Sequence, residues 1–343
     1  MADSSKPAGP SKRGDPPAPV TLLIVSKPDI GSTVQGDALL ERPGWSASAP
    51  IGEAPTWRHD LAPVDLWWYP ERLLFADHLD AAYSEATGRT VREVLFLSRH
   101  AAASGQPSLT LHAIGVPAGT PVGEVGEYGG RNGEVVPPCS RFSALFLALL
   151  QAAERHGLTP EFDITVETTH HGPVLSAPTL FIEIGSTESH WGRRDAAAAW
   201  AEVLSEALGL EGGVGAGDWL AMSEGERAES QVMVGLGGGH YAPRHSDVVR
   251  RTGCWMGHLL AGYALPMEKP DEEGWEPLTG RLPGGEWRHA IDIAIASTEK
   301  AFPGGRIVVH LDRKSFKGWQ RQAIRRHLEE AGVSIVRTAD LIS

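Results

Sequence analysis

Histidines and carboxylates gather at four places in this chain where an apolar run typical of a β-strand ends. The four segments are LFLSRHAAASGQPSLTLH, with Ser98, Arg99, His100 and His112; ETTHHGP, with Glu167, His170 and His171; FIEIGSTE, with Glu183; and GLGGGHYAPRH, with His240 and His245. Loops that follow strands are where α/β proteins commonly build their sites. Imidazole and carboxylate groups there can exchange protons with a substrate or bind a metal ion. The four segments therefore predict a polar site assembled from several strand ends.

Each of these residues also has a purely structural interpretation. Glu183 lies within an apolar strand, and an alternative is that it faces solvent at a sheet edge. His112 stands alone on its strand, which is more typical of a hydrogen-bonded structural histidine. On an extended chain the rings of His170 and His171 point opposite ways, so both reach one site only if the chain turns at Gly172 and the following proline.

The glycine segment is the most informative of the four. Gly237, Gly238 and Gly239 follow a strand, and three glycines allow a ligand to approach the main chain closely. No lysine follows, and the spacing matches neither phosphate-binding glycine motif. His240, Tyr241, Arg244 and His245 come next, offering two general bases or ligands and one anion-binding side chain. The structural alternative is a tight turn with exposed polar residues.

The organisation of the chain predicts one α/β domain over residues 21–343. Apolar runs that alternate with helical patterns favour a three-layer α/β/α fold with a mainly parallel, mixed sheet. The patterns predict strands at 21–26, 91–99, 108–115, 163–169, 179–186, 306–312 and 333–338, and helices at 140–157, 195–209, 254–265 and 315–332. Residues 1–20 are rich in proline and predict a disordered tail, and 36–60 and 266–286 predict loop excursions.

The charge, the cysteine content and the length of the apolar stretches exclude several classes of protein. The net charge of −12 argues against nonspecific coating of nucleic acid. Residues 301–330 nevertheless carry a net +4, because seven lysines and arginines face three acids. Two cysteines cannot form a disulfide framework in 343 residues. The longest apolar stretch, 142–150, is too short to span a bilayer. We therefore expect a soluble cytoplasmic protein with no membrane partner.

The combined motifs resemble the archaeal and plant type of D-aminoacyl-tRNA deacylase. The matching stretches are FLSRHAAASGQPSLTLHAIG at 96–115, ETTHHGP at 167–173, PTLFIEIGSTESHW at 178–191, VGLGGGHYAPRHSDV at 234–248 and LDRKSFKGWQR at 311–321. They occur in the family's order, and the resemblance covers the chain from about residue 21 to its end. The region 36–60 looks like an insertion, and the proline-rich tail lies outside the family pattern.

The resemblance implies hydrolysis of the ester between a D-amino acid and the 3′-terminal adenosine of tRNA. It also implies a phosphorylase- or hydrolase-like α/β fold, a zinc cofactor and a monomeric enzyme. Attack of water on the ester needs a general base or a metal-bound hydroxide, together with donors for the oxyanion. The candidates for base or ligand are His100, Glu183, His240 and His245.

The remaining roles follow from the same hypothesis. Substrate or oxyanion contacts are expected from Ser98, Arg99, Gly237, Gly238, Gly239 and Arg244; metal ligation from His170, His171, His240 and His245; and tRNA contacts from Arg313, Lys314, Lys317 and Arg321. Two other functions stay open. A metal-dependent peptidase or amidohydrolase on the same fold would not need the basic segment. A non-catalytic tRNA-binding module would not need the clustered histidines.

Overall fold

The computed structural model describes residues 18–118 and 127–341. The predicted disordered tail, 1–20, lies outside the described residues up to position 17, and Val20 already begins the first strand. The strands are β1 (Val20–Ser26), β2 (Trp45–Ile51), β3 (Ala54–His59), β4 (Val64–Tyr69), β5 (Val91–Arg99), β6 (Ser108–His112), β7 (Gly115–Val116), β8 (Glu134–Val135), β9 (Asp163–Val166), β10 (Thr179–Gly185), β11 (Gln231–Leu236), β12 (Trp255–Leu260), β13 (Arg306–Leu311) and β14 (Ser334–Val336).

Helices pack on both faces of the sheets that these strands form. They are α1 (Ile30–Leu40), α2 (Leu79–Thr87), α3 (Phe142–Arg155), α4 (Glu188–Trp191), α5 (Arg194–Leu208), α6 (Glu224–Glu229), α7 (Pro243–Thr252), α8 (Trp287–Ala301) and α9 (Gly318–Glu330). The helix α3 ends where the sequence predicts, with Gly157 in the left-handed conformation just after it. The predicted mixed α/β fold with a large, mostly parallel sheet is confirmed.

Two sheets carry the fold. The larger has the strand order β2-β3-β4-β1-β5-β10-β6-β9, and its central pairs β4/β1, β1/β5 and β5/β10 are parallel. The smaller has the order β12-β11-β13-β14 and is parallel throughout. Strands of both sheets contribute to one apolar cluster, which includes Leu109 and Leu111 from the larger sheet and Met233 and Met256 from the smaller. A shared core supports a single domain; the assignment of 21–343 to one domain stays a prediction.

A short segment after β9 joins the two sheets through its backbone. The Glu167 N–H donates to the carbonyl oxygen of Leu111 in the larger sheet (3.1 Å). The next two N–H groups donate to the part of the chain that forms the smaller sheet. The Thr168 N–H donates to the carbonyl oxygen of His240, after β11 (2.9 Å), and the Thr169 N–H donates to that of Leu259, in β12 (2.6 Å). Because successive peptide groups bond to different sheets, the side chains of this segment are fixed between them.

The structure corrects two of the predictions made from the sequence. Residues 254–265 contain the strand β12 instead of a helix, because a short, mainly apolar run cannot be assigned by periodicity. Residues 36–60 are not a loop excursion: they complete α1 and form β2 and β3, which pair antiparallel at the sheet edge. The strand β2 is mostly exposed, which removed the apolar alternation that would have revealed it.

Residues 266–286 contain no helix or strand, and they form one isolated β-bridge between Glu268 and Gly284; their assignment as a loop excursion of the domain stays a prediction. Both cysteines are buried and unpaired. Within 18–118 and 127–341, every helix is too short or too polar to cross a bilayer.

The joining segment provides a stability test. The buried Thr169 hydroxyl lies 2.9 Å from His258 Nδ1 and accepts the Leu259 N–H at 3.3 Å. We expect Thr169→Val to lower the free energy of unfolding by about 1–3 kcal/mol, because the buried His258 Nδ1 and the Leu259 N–H lose this hydroxyl as a partner. Urea denaturation measures this. The matched control is Thr33→Val, whose hydroxyl makes only an exposed contact, and its effect should stay within about 0.5 kcal/mol. Equal effects of the two substitutions would contradict the role of Thr169.

Candidate active site

Three adjacent strands of the larger sheet bring acid–base side chains to one place. Glu183 lies on β10, with Ser98 of β5 and Thr110 of β6 as its neighbours in register. His100 follows β5 directly, and His112 ends β6. All three acid–base side chains are buried, so Glu183 does not face solvent at a sheet edge. The apolar strand that contains Glu183 is β10, and all of its residues are buried.

Glu167 is the centre of the cluster. Its Oε1 lies 3.2 Å from His100 Nδ1, and its Oε2 lies 3.0 Å from His240 Nε2 and 3.5 Å from His170 Nε2. Burial alone would raise the pKa of this carboxyl group, but the contact with His240 and the charge of His100 lower it well below the usual value. A fully buried carboxylate is therefore kept ionised by the imidazoles around it.

His100 is the cationic partner in the cluster. Its Nδ1 lies 3.3 Å from Glu183 Oε2, and its Nε2 lies 2.9 Å from the Tyr241 hydroxyl. Burial lowers the pKa of His100, but the hydrogen bond with Glu183 and the charges of both glutamates outweigh burial and raise it to about 9. The Trp191 indole N–H donates to the backbone carbonyl of His100 at 2.7 Å. His100 is thus held as an imidazolium whose two nitrogens are both engaged.

Glu183 has the opposite electrostatic environment to Glu167. Burial raises the pKa of Glu183 to about 7; Glu167 adds to this rise, and the hydrogen bond with His100 opposes it. Two carboxyl groups in one buried cluster therefore differ in their affinity for a proton. Such a separation is typical of sites that transfer protons.

A second group of imidazoles adjoins this pair. The ring centroids of His112 and His170 are 4.2 Å apart, and those of His170 and His171 are 4.1 Å apart. His171 has φ +30° and Gly172 has φ +93°, which is the chain turn that brings adjacent histidines together. Burial first, and neighbouring histidines second, lower the pKa of His112 to about 3 and those of His170 and His171 well below the usual value. All three rings are therefore neutral at neutral pH.

The three neutral rings fit the donor set of a zinc site. The ligand atoms of His112, His170 and His171 all lie within 4.8 Å of one another. The Nδ1 atoms of His112 and His170 contact backbone carbonyl oxygens, at 3.0 Å and 2.7 Å, which fixes the lone pair on Nε2. The buried His112 Nε2 and His171 Nδ1 have no hydrogen-bond partner among the described residues. His100, Glu167 and His240 form a second possible ligand group.

The glycine loop positions His240 and is itself closely packed. A side chain at Gly237, which has φ +105°, would lie 3.0 Å from side-chain atoms of Asp312, Ser315 and Phe316. The N–H groups of Gly237 and Gly238 already donate to the Leu260 carbonyl and the Ser315 hydroxyl, both at 2.7 Å. Only the Gly239 N–H is left as a candidate oxyanion donor.

His245 does not join the cluster. It is fully buried on α7, beneath β11, and its Nε2 lies 3.3 Å from the carbonyl oxygen of His310. Burial lowers its pKa to about 4. His245 was expected to act with His240 because the two are close in sequence. The helix α7 begins between them, however, and turns His245 towards the core of the smaller sheet.

Two of the predicted substrate residues, the buried Ser98 and the half-buried Arg99, end β5. The Ser98 hydroxyl (3.5 Å) and the Arg99 backbone N–H (3.1 Å) donate to Asp29 Oδ2. The Arg99 guanidinium lies 4.3 Å from the centre of the Trp191 ring. Arg244 is half exposed at the start of α7. Of the predicted tRNA residues, Arg313, Lys314 and Arg321 line one groove, whereas Lys317 lies just before α9.

Glu167, His112 and Tyr241 have no catalytic role among the predictions from the sequence, and Asp29 is absent from those predictions. The sequence feature that could have identified Asp29 is its position as the N-cap of α1, where its Oδ1 accepts the N–H groups of Gly31 and Ser32. The signal for Glu167 was weaker. A carboxylate after a strand is usually exposed, and its burial depends on the second sheet.

The protonation of His100 can be tested directly. We expect NMR titration of the imidazole to give a pKa well above the ordinary value of about 6.5, near 9. Glu183→Gln should lower that pKa, because the neutral amide no longer stabilises the imidazolium. Glu202→Gln, at the half-buried contact between Glu202 and His156, should leave it unchanged. A pKa of His100 near the ordinary value in the unmodified protein would contradict the described cluster.

Known proteins are similar to this chain in sequence and in fold. The sequence model of the family described as D-aminoacyl-tRNA deacylase matches residues 87–336. The chain is 43% identical to the D-aminoacyl-tRNA deacylase of Arabidopsis thaliana, over 94% of this chain and 99% of that protein. It is 34% identical to the D-aminoacyl-tRNA deacylase of Archaeoglobus fulgidus, over 78% and 79% of the two chains. The crystal structure of a conserved protein of unknown function, AF0625, superposes with a TM-score of 0.72 at 27% identity, covering 94% of this chain and 96% of that one. The chain therefore belongs to the D-aminoacyl-tRNA deacylase family.

Proposed function

We propose that this protein hydrolyses the ester bond of D-aminoacyl-tRNA, releasing the free D-amino acid and tRNA. The observation that carries the proposal is that the family match, 87–336, contains the whole buried cluster around Glu167. A non-catalytic tRNA-binding module has no need for a buried carboxylate kept ionised beside an imidazolium. A peptidase or amidohydrolase is not favoured, because the named relatives are deacylases.

In the proposed mechanism His240 is the general base. Its side chain is 30% exposed, the largest exposure among the histidines around Glu167, and its Nε2 faces Glu167 Oε2. The carboxylate fixes the ring so that Nδ1 carries the lone pair. Water attacks the ester carbonyl carbon as Nδ1 takes its proton, and the same proton then goes to the departing 3′-oxygen of the tRNA. The Gly239 N–H and the His100 imidazolium contribute positive potential where the oxyanion forms.

Zinc is the proposed cofactor, with His112, His170 and His171 as its ligands. When bound there, zinc would supply a Lewis acid for the ester carbonyl or for water. This set replaces the one expected from the sequence, since His245 contacts the His310 carbonyl and His240 is assigned as the base.

Arg313, Lys314, Lys317 and Arg321 are the proposed contacts to the acceptor-stem phosphates. Supporting this, the chain has a net charge of −12 and needs a local cationic surface to approach tRNA. Arg321 also donates to the carbonyl oxygens of Arg313 and Phe316, so it shapes the loop that carries the others. We further propose that the protein acts in the cytoplasm as a monomer.

The function is tested by comparing D-Tyr-tRNA with L-Tyr-tRNA. We expect much faster loss of the D-ester, because the open main chain at Gly239 can approach the substrate Cα closely and exclude one enantiomer. Comparable kcat/KM for the two esters would refute the proposal.

The roles of Glu167 and His240 in proton transfer can be tested against a control pair elsewhere in the protein. Glu167→Gln or His240→Ala should lower kcat for the D-ester by roughly 10²-fold or more, because proton transfer is lost. Glu202→Gln and His156→Ala alter a half-buried His–Glu pair of similar geometry, 2.8 Å, and should leave kcat unchanged. Full activity in His240→Ala would remove it as the base.

Zinc is tested by chelation. Phenanthroline should reduce deacylation, and added zinc should restore it, because three neutral imidazoles bind zinc well. His112→Ala should also lower the zinc content measured by mass spectrometry, while His289→Ala should not. Fully active protein without zinc would exclude the cofactor.

The tRNA surface is tested by salt dependence. We expect the variant Arg313→Ala/Lys314→Ala/Lys317→Ala to raise KM for D-aminoacyl-tRNA. Each lost phosphate contact should reduce the slope of log K against log salt by roughly 0.7–0.9. Arg155→Ala, an exposed arginine on α3 that pairs with Glu202, is the control. An unchanged KM and an unchanged salt slope in the triple variant would mean that these residues form an ordinary solvated surface and do not contact tRNA.

A further inference from the structure

A cationic groove lies at the carboxyl ends of β13 and β14, along α9. Its volume is about 1570 Å³. Six cationic side chains line it against three acidic ones: Arg244, Arg313, Lys314, Arg321, Arg325 and Arg337 against Asp312, Glu329 and Asp340. In a chain with a net charge of −12 this is a concentrated positive surface, and such a surface attracts a polyanion.

Arg244 lines the groove and is close along the chain to His240, which contacts Glu167. It comes four residues after His240, in the first turn of α7. Its guanidinium makes two weak contacts, with Asp247 at 3.5 Å and with the Thr338 hydroxyl at 3.4 Å. Long, half-exposed contacts of this kind contribute little stability, so the guanidinium is available to a stronger acceptor.

His310 adds a buried polar group to the same groove. It also lines the groove, although only 3% of its surface is exposed, and its Nδ1 has no hydrogen-bond partner among the described residues. A buried nitrogen without a partner costs free energy that a bound acceptor or donor would recover. Arg244 lies close enough for its charge to act on the His310 ring. Arg244 thus lies beside both His310 and Thr338, and all three residues line the groove.

We propose that Arg244, His310 and Thr338 form a subsite for one phosphodiester group in the single-stranded 3′ end of tRNA. A guanidinium fork matches two phosphate oxygens, and the hydroxyl and imidazole supply further hydrogen bonds. The subsite connects the groove, where the stem phosphates lie, to His240, where the ester reacts. The identification of the RNA rests on the proposed function.

Arg251 offers a matched control on the same helix. Arg244 and Arg251 both pair with Asp247, at 3.5 Å and 2.9 Å, and their side chains are 49% and 64% exposed. Only Arg244 is among the residues that line the groove. Arg244→Ala and Arg251→Ala therefore remove the same charge from the same helix, and they differ in the proposed contact.

The probes are deacylated tRNA and the same tRNA lacking its single-stranded 3′ nucleotides, with binding followed by fluorescence anisotropy across a salt series. Arg244→Ala should weaken binding of the full tRNA roughly tenfold, as expected for one charge-assisted contact. The salt slope should fall by about 0.7, the value for a single-strand phosphate. Arg251→Ala should bind like the unmodified protein, and neither variant should change binding of the shortened tRNA.

Equal effects of Arg244→Ala and Arg251→Ala, or an equal loss with the shortened tRNA, would overturn the subsite. Thr338→Val, which leaves the charge intact, should weaken only full-length tRNA, and unchanged binding would exclude the hydroxyl. Hydrolysis of D-Tyr-tRNA is measured separately. Hydrolysis together with normal binding by Arg244→Ala refutes the subsite alone. A binding defect without hydrolysis by the unmodified protein refutes the proposed function alone.

Discussion

The backbone hydrogen bonds of residues 167–169 are the constraint on which the site depends. Glu167 is bonded to the larger sheet, and Thr168 and Thr169 are bonded to the strands and loops of the smaller one. The carboxylate is thereby held at the junction, fully buried, where it would be unfavourable without positive partners. His100 comes from one sheet and His240 from the other, so the charge of Glu167 is compensated only when both sheets are in place.

Burial has opposite consequences for different members of one cluster. It keeps His112, His170 and His171 neutral, whereas His100 is kept charged because two carboxyl groups lie on its Nδ1 side. The site therefore contains neutral imidazoles suited to a metal beside an imidazolium suited to a developing negative charge. These two environments lie next to each other because His112 and Glu183 are on neighbouring strands, β6 and β10.

The sequence predicted most elements of the fold because the strands of a buried parallel sheet form continuous apolar runs. The predicted strand at 91–99 coincides with β5, and 306–312 contains β13. The same property misled at β12, where the apolar run is equally compatible with a buried helix. Spatial partners were harder to predict, because no local pattern shows that Glu167 meets His240 and that His245, five residues further, does not.

The separation of Glu167 from its partners along the chain has a kinetic consequence. The cluster joins residues from positions 100, 112, 167, 183 and 240, so each contact closes a loop of tens of residues. Contacts of this kind form late in folding, because the entropy of closing long loops opposes them until the sheets dock. An intermediate with only the larger sheet formed would contain Glu167 without His240. The assembled cluster would therefore mark completed folding, and a chain that stalls before the smaller sheet docks would have native-like strands but no His240 beside the Glu167 carboxylate.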